Sequence, residues 1–345
     1  MATTTPLPPV GWSESPLQVP GSTALLALRH CHPAKDGTPV RARVVIAAAI
    51  GVAQTFYTAF AEWLAAQGYA VTTFDYRGHA ASQHGPLRDQ QADLLDWGQD
   101  CQAVAVHLRA CDAAMGVSQP LFWIGHSVGA QLPGGCEPAL PVDGLLAIAS
   151  GSGYWRDNAA PTKRKVLLWW WLIQPAVTTV CGCLPGRRWG LVGDLPAGVA
   201  WQWRRWCMHP DYSLGVEGER VRQAYAAARY PVHALSVEDD EMMSLRSTQS
   251  LVGWYRNAPQ TLERVQRAEA GGLRIGHFGF FRASMRAHLW PRTLAVLERW
   301  QCGRALLAPA GQDGAAEVAT VQDSTRPRLP PSPEAGPGAL FTEAL

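Results

Sequence analysis

The sequence predicts an α/β protein with a mostly parallel central sheet flanked by helices, interrupted by an inserted, mainly helical cap. Three observations predict it. Short apolar runs alternate with amphipathic stretches, the pattern of βαβ units whose strands are covered on both faces. The alternation lapses between residues 154 and 229, where tryptophan becomes dense, and then resumes. A Gly-His-Ser-Val-Gly turn at residues 125–129 follows directly on one of the apolar runs.

The elements follow in order. Arg43 to Ala49 (RVVIAAA) reads as a buried strand, Gln54 to Ala66 as a helix closed by Gly68, and Ala70 to Phe74 (AVTTF) as the next strand. Asp89 to Ala110 supplies a long helix, Pro120 to Gly125 (PLFWIG) a third strand, and Gly144 to Ser150 (GLLAIAS) a fourth. After the cap, Pro231 to Val237 (PVHALSV) restores the pattern. The expected organisation is a flexible segment over 1–19, a core over 20–153 and 230–302, a cap over 154–229, and a disordered tail over 303–345. The tail is rich in Ala, Pro, Gly and Ser and buries too little apolar surface to offset its ordering entropy.

Composition narrows the function. With 30 Lys and Arg against 28 Asp and Glu, the net charge is +2, so no field of one sign gathers nucleic acid. The N-terminus lacks a basic region followed by an apolar one, which makes the cytoplasm the expected location. Eight scattered cysteines offer no paired zinc spacing, and His30-Cys31-His32 and Cys181-Gly182-Cys183 lack partner pairs. No metal or organic cofactor is implied. Val166 to Ile173 (VLLWWWLI), preceded by Lys163-Arg164-Lys165, falls well short of the roughly 20 residues of a membrane span, so no stable span is expected. It reads as a partly buried cap helix; a greasy lid that recognises acyl chains or touches a membrane surface is the alternative.

Gly125-His126-Ser127-Val128-Gly129 matches G-x-S-x-G, in which a serine sits on a strained turn between strand and helix. The flanking glycines let backbone segments approach where a Cβ would clash. A serine hydroxyl needs a base, and the base needs a third group to hold its tautomer. Downstream, the strand PVHALSV runs into Glu238-Asp239-Asp240-Glu241, and His277 stands between Gly276 and Gly279 in the segment RIGHFG. The order serine, acid, histidine suits nucleophile Ser127, orienting acid Asp240 and base His277, with Asp239 as the rival acid. Backbone N–H groups of Val128 and Val52 are the expected donors to a developing oxyanion. Taken singly, the acidic cluster is equally an ordinary strand-end turn and His277 an ordinary loop histidine; together with the elbow they read as a triad.

The segments IGVAQTFYTAFAEWLAAQGYAVTTFDYRG, WIGHSVGAQ, SGSGYWRD, SVEDDEMM and RIGHFGFFR resemble a group of bacterial predicted α/β hydrolases, more distantly related to serine-aminopeptidase and monoglyceride-lipase-like members of that superfamily. The resemblance covers roughly residues 20 to 302 and implies the α/β-hydrolase fold, the triad Ser127, Asp240 and His277, and an inserted cap. Two departures stand out: Ile50-Gly51 replaces the frequent His-Gly, and His79-Ala80-Ala81-Ser82 replaces a Gly-rich continuation. The expected function is hydrolysis of an ester or other acyl bond through an acyl-enzyme. Alternatives are an acyltransferase using the same intermediate and a non-catalytic binding protein on the same scaffold. Fifteen tryptophans tilt the expected partner towards a small molecule with an apolar acyl group, with Trp169 and Trp170 either lining its pocket or packing as ordinary cap core.

Overall fold

The computed structural model describes residues 8–34, 39–189 and 193–307. Two antiparallel strands lead, β1 (Val10–Gln18) and β2 (Leu25–Pro33), followed by β3 (Arg43–Ala47). A 3₁₀ turn over Gln54–Tyr57 opens α1 (Thr58–Ala66), and β4 (Ala70–Phe74) follows. Helix α2 (Leu94–Ala114) starts later than its periodicity suggested because Asp93 caps it. The Asp93 carboxylate accepts the Asp96 N–H at 2.9 Å and Asp96 accepts the Asp93 N–H at 3.0 Å, a reciprocal cap that fixes the first turn. Then come β5 (Leu121–His126), the short α3 (Val128–Gln131) and β6 (Gly144–Ile148).

Between β6 and the next core strand the chain forms α4 (Ala160–Leu168), a π-helical turn over Trp169–Ile173, and α5 (Gln174–Cys181). A small ribbon of β7 (Cys183–Pro185) and β8 (Asp194–Pro196) precedes α6 (Ala197–Met208), α7 (Tyr212–Val216) and α8 (Glu219–Ala227). The core resumes with β9 (Val232–Val237), α9 (Leu245–Trp254) and β10 (Gln260–Val265), and closes with α10 (Gly276–Gly279) and α11 (Trp290–Leu307).

The main sheet has eight strands in the order β1-β2-β4-β3-β5-β6-β9-β10. Only β1 and β2 run antiparallel to their neighbours; the rest are parallel. Strands β4, β5, β6 and β9 are buried at every residue, which explains their mainly apolar sequences.

Two boundaries change. The segment expected to be flexible through residue 19 contains β1, paired to β2 in register from Val10 opposite Pro33 to Gln18 opposite Leu25. The core extends past 302, since α11 runs to Leu307. The expected tail lies outside the described residues from 308 onward. Edge position hid β1 and β10: they read VGWSESPLQ and QTLERV, with polar residues throughout, because an edge strand presents much of its surface to water. Among the described residues no helix is long and apolar enough to cross a membrane.

Candidate active site

At the end of β5 the chain turns sharply into α3, and Ser127 occupies the corner at φ 53° and ψ −117°. A positive φ in a residue with a Cβ costs about 1–3 kcal/mol and persists only when the surroundings enforce it. They do so here. The Ser127 N–H donates to the Ile148 carbonyl at 3.1 Å, and the Ser150 hydroxyl donates to the Ser127 carbonyl at 2.7 Å. Both glycines of the motif are sterically required. A Cβ on Gly125 would collide with the Ala130 amide nitrogen, and one on Gly129 with the Ala47 carbonyl oxygen.

Three consecutive acids after β9 grip the loop that carries His277. Asp240 Oδ2 lies 2.9 Å from His277 Nδ1, with both side chains almost wholly buried. The other oxygen, Oδ1, accepts the N–H groups of Met242 at 2.7 Å and Met243 at 2.9 Å, which fixes the carboxylate plane. Asp239 accepts the N–H groups of Ile275 at 3.1 Å and Gly276 at 2.8 Å, so it binds loop backbone and not the ring. Glu241 accepts the His277 N–H at 3.1 Å and pairs with Arg274 at 3.2 Å. The imidazole contact thus falls to Asp240 and not to Asp239.

His126, beside the nucleophile, does more than turn away from it. Its Nε2 lies 2.9 Å from the His277 carbonyl oxygen, which can only accept, so this nitrogen carries the proton. Nδ1 is then an acceptor, 2.8 Å from the Tyr57 hydroxyl, which in turn accepts the Ala49 N–H at 2.9 Å. The ring is fully buried among Tyr57, His277, Phe278 and Phe281, with the Phe281 centroid at 4.9 Å. Burial, then the neighbouring His277, drives its pKa well below the ordinary imidazole range, so it stays neutral.

Ser127 and His277 line one cavity together with Ala49, Ile50, Val128, Trp203, Met242, Met243 and Phe278. Its volume is about 20 Å³, room for little more than one water. The N–H of Val128 is the first of α3 and has no intrahelical acceptor, and the residue lines the cavity. Val52 does not. Gly51, at φ 68°, closes a turn in which the Val52 N–H donates to the Ala49 carbonyl at 3.1 Å, and Ala49 and Ile50 form the wall in its place. Gly193 of the cap packs here so closely that a Cβ on Gly51 would stand 2.5 Å from its nitrogen.

The profile of the family serine aminopeptidase, S33, matches residues 38–178, a stretch that includes Ser127 and ends before Asp240. Solved structures extend the likeness to the whole fold. A soluble variant of monoglyceride lipase from Saccharomyces cerevisiae, in complex with a substrate analogue, superposes with a TM-score of 0.58 at 17% identity, covering 88% of this chain and 97% of the other. The chain has the α/β-hydrolase fold. Brefeldin A esterase, a bacterial homologue of human hormone-sensitive lipase, gives 0.54 at 17% identity over 89% and 81% of the two chains. An esterase of Pyrococcus furiosus gives 0.54 at 14% identity over 84% and 91%. No curated protein matches the sequence.

Relative to the sequence expectations for an α/β hydrolase, Ser127, Val128 and His277 come to one cavity and Asp240 supports His277 from behind. Trp169 and Trp170 do not line that cavity; Trp203 does, and Trp170 packs behind it with ring centroids 4.8 Å apart. Tyr57 and the second role of His126 were missed. Their pairing spans 69 residues of sequence, and no local pattern announces such a contact.

Proposed function

We propose that this protein is a serine hydrolase that cleaves a carboxylic ester through an acyl-enzyme. The observation that carries the reading is the His277 Nδ1 to Asp240 Oδ2 contact of 2.9 Å, with Ser127 strained at the elbow and facing the same cavity as His277. With Nδ1 donating to Asp240, His277 keeps Nε2 as the basic nitrogen. It takes the Ser127 proton as Oγ attacks the acyl carbon, and returns it to the departing alkoxide. Water then attacks the acyl-enzyme with the same histidine as base. The Val128 N–H meets the oxyanion. Family and fold support hydrolase chemistry, and the neighbouring lipase and esterases support an ester as substrate.

An activated serine is read directly by a fluorophosphonate probe, which should label the parent and not Ser127→Ala. Equal labelling of both would sink the assignment. Product analysis on a chromogenic ester with added alcohol separates hydrolysis from acyl transfer.

A further inference from the structure

The two cap helices α4 and α5 divide their side chains by fours. Val166, Trp170, Gln174 and Thr178 are buried, while Leu168, Leu172, Ala176 and Val180, at the same spacing, face outward. Leu168 is 58% exposed, Trp171 65%, Leu172 60% and Val180 86%. With Leu167, these account for five of the nine exposed large hydrophobic residues among those described, so the apolar surface is concentrated and not scattered. A patch of this kind marks an interaction surface.

Charge identifies the partner. Exposed Lys163, Arg164 and Lys165 precede the patch, and exposed Arg187 and Arg188 follow it; no acidic residue stands between Asp157 and Asp194. Arg164 is one turn before Leu168 in the same outward row, so the charged and apolar groups share a face. We propose that the outward face of α4 and α5 docks the cap on an anionic lipid surface. The helices lie along the surface with Leu168, Trp171, Leu172 and Val180 among the acyl chains and Lys163, Arg164 and Lys165 at headgroup level. A second copy of the chain fits worse, because a two-fold contact would oppose the Lys163-Arg164-Lys165 run to itself.

The same layer reaches the candidate site. Trp170 meets Trp203 edge to face, Arg204 Nε donates to the Trp170 carbonyl at 2.6 Å, and the Arg204 guanidinium stands 5.5 Å from the Trp171 ring. Delivery of lipid-borne ester past Trp203 rests on the hydrolase reading; the docking does not.

The test uses the full chain and vesicle flotation, with phosphatidylglycerol and phosphatidylcholine in equal parts against pure phosphatidylcholine. The parent should float with the anionic vesicles, less so at high salt. Replacing Lys163, Arg164 and Lys165 together by Gln should weaken partitioning on the order of a hundredfold, and Trp171→Glu with Leu172→Glu should abolish it. The sites are exposed, and unchanged thermal unfolding confirms that each variant is folded. Absence of the parent from anionic vesicles, or flotation unchanged in both variants, overturns the proposal. So does a lipid-free dimer that the Trp171→Glu pair dissociates, since a second copy would then cover the face. Turnover of a water-soluble acetyl ester, run in parallel, reports on the hydrolase reading separately: the docking variants should match the parent there.

Discussion

His126 Nε2 donates to the carbonyl oxygen of His277 over 2.9 Å, tying the nucleophile strand to the loop that carries the base. Through Tyr57 the same ring reaches Ala49 in the cavity wall, so three segments meet in one file of hydrogen bonds. In the proposed mechanism His126 would act as a positioning residue, since it touches the backbone of His277. His126→Leu should lower kcat about 10- to 100-fold on a soluble ester with little change in KM, the scale expected for small misplacement of a catalytic group. His126→Gln, which keeps a donor at similar reach, should recover much of the loss. A KM effect equal to the kcat effect would argue for general damage.

Asp240→Asn is expected to cost about 10³- to 10⁴-fold in kcat, because an amide can present its NH₂ to Nδ1 and favour the wrong tautomer. Asp239→Asn removes one acceptor from the Ile275 and Gly276 amides and should cost about tenfold, a backbone effect. Steady-state kinetics on one chromogenic ester ranks the two. The reverse order would transfer the acid role to Asp239.

Stability should fall with acidification below about pH 6.5. Burial holds His126 well below its ordinary range and holds His30 at about 4. Between those values and 6.5 the unfolded chain binds protons that the folded chain refuses, so stability rises with pH there and is lost as pH falls. Urea midpoints from pH 7 to 4 should track this. In His126→Gln the slope should shrink by about one proton in that window; an unchanged slope would mean that the ring is protonated in the fold.

Glycines at two sites should respond in opposite directions. Gly129→Ala forces a Cβ onto the Ala47 carbonyl and is expected to cost about 3 kcal/mol or prevent folding. Gly253, inside α9 with nothing within 4 Å of a built Cβ, should gain about 0.5–1 kcal/mol on change to Ala. Denaturant melts of both variants decide the point.

Trp203→Ala should widen the 20 Å³ cavity. Longer acyl esters should then gain kcat/KM relative to acetyl, by up to about 0.8 kcal/mol per buried methylene. Trp170→Ala, one layer behind, should act mainly through thermal stability. Identical chain-length profiles in parent and Trp203→Ala would show that acyl groups enter elsewhere.

The sequence by itself determined the parallel core strands, because β4, β5, β6 and β9 are covered on both faces and so read as mainly apolar runs. It also determined the elbow, since only glycine fits at 125 and 129. Edge strands β1 and β10 were illegible because water on their exposed surfaces leaves composition unconstrained. Tertiary structure alone decided that Asp240, and not Asp239, meets the imidazole, for two adjacent acids differ only in where a turn aims them. It alone turned the Val52 amide to Ala49, put Trp203 instead of Trp170 at the cavity, and brought His126 to His277. That last contact joins residues 151 apart in the chain, and hydrogen bonds at such separation follow from packing, which local periodicity does not encode.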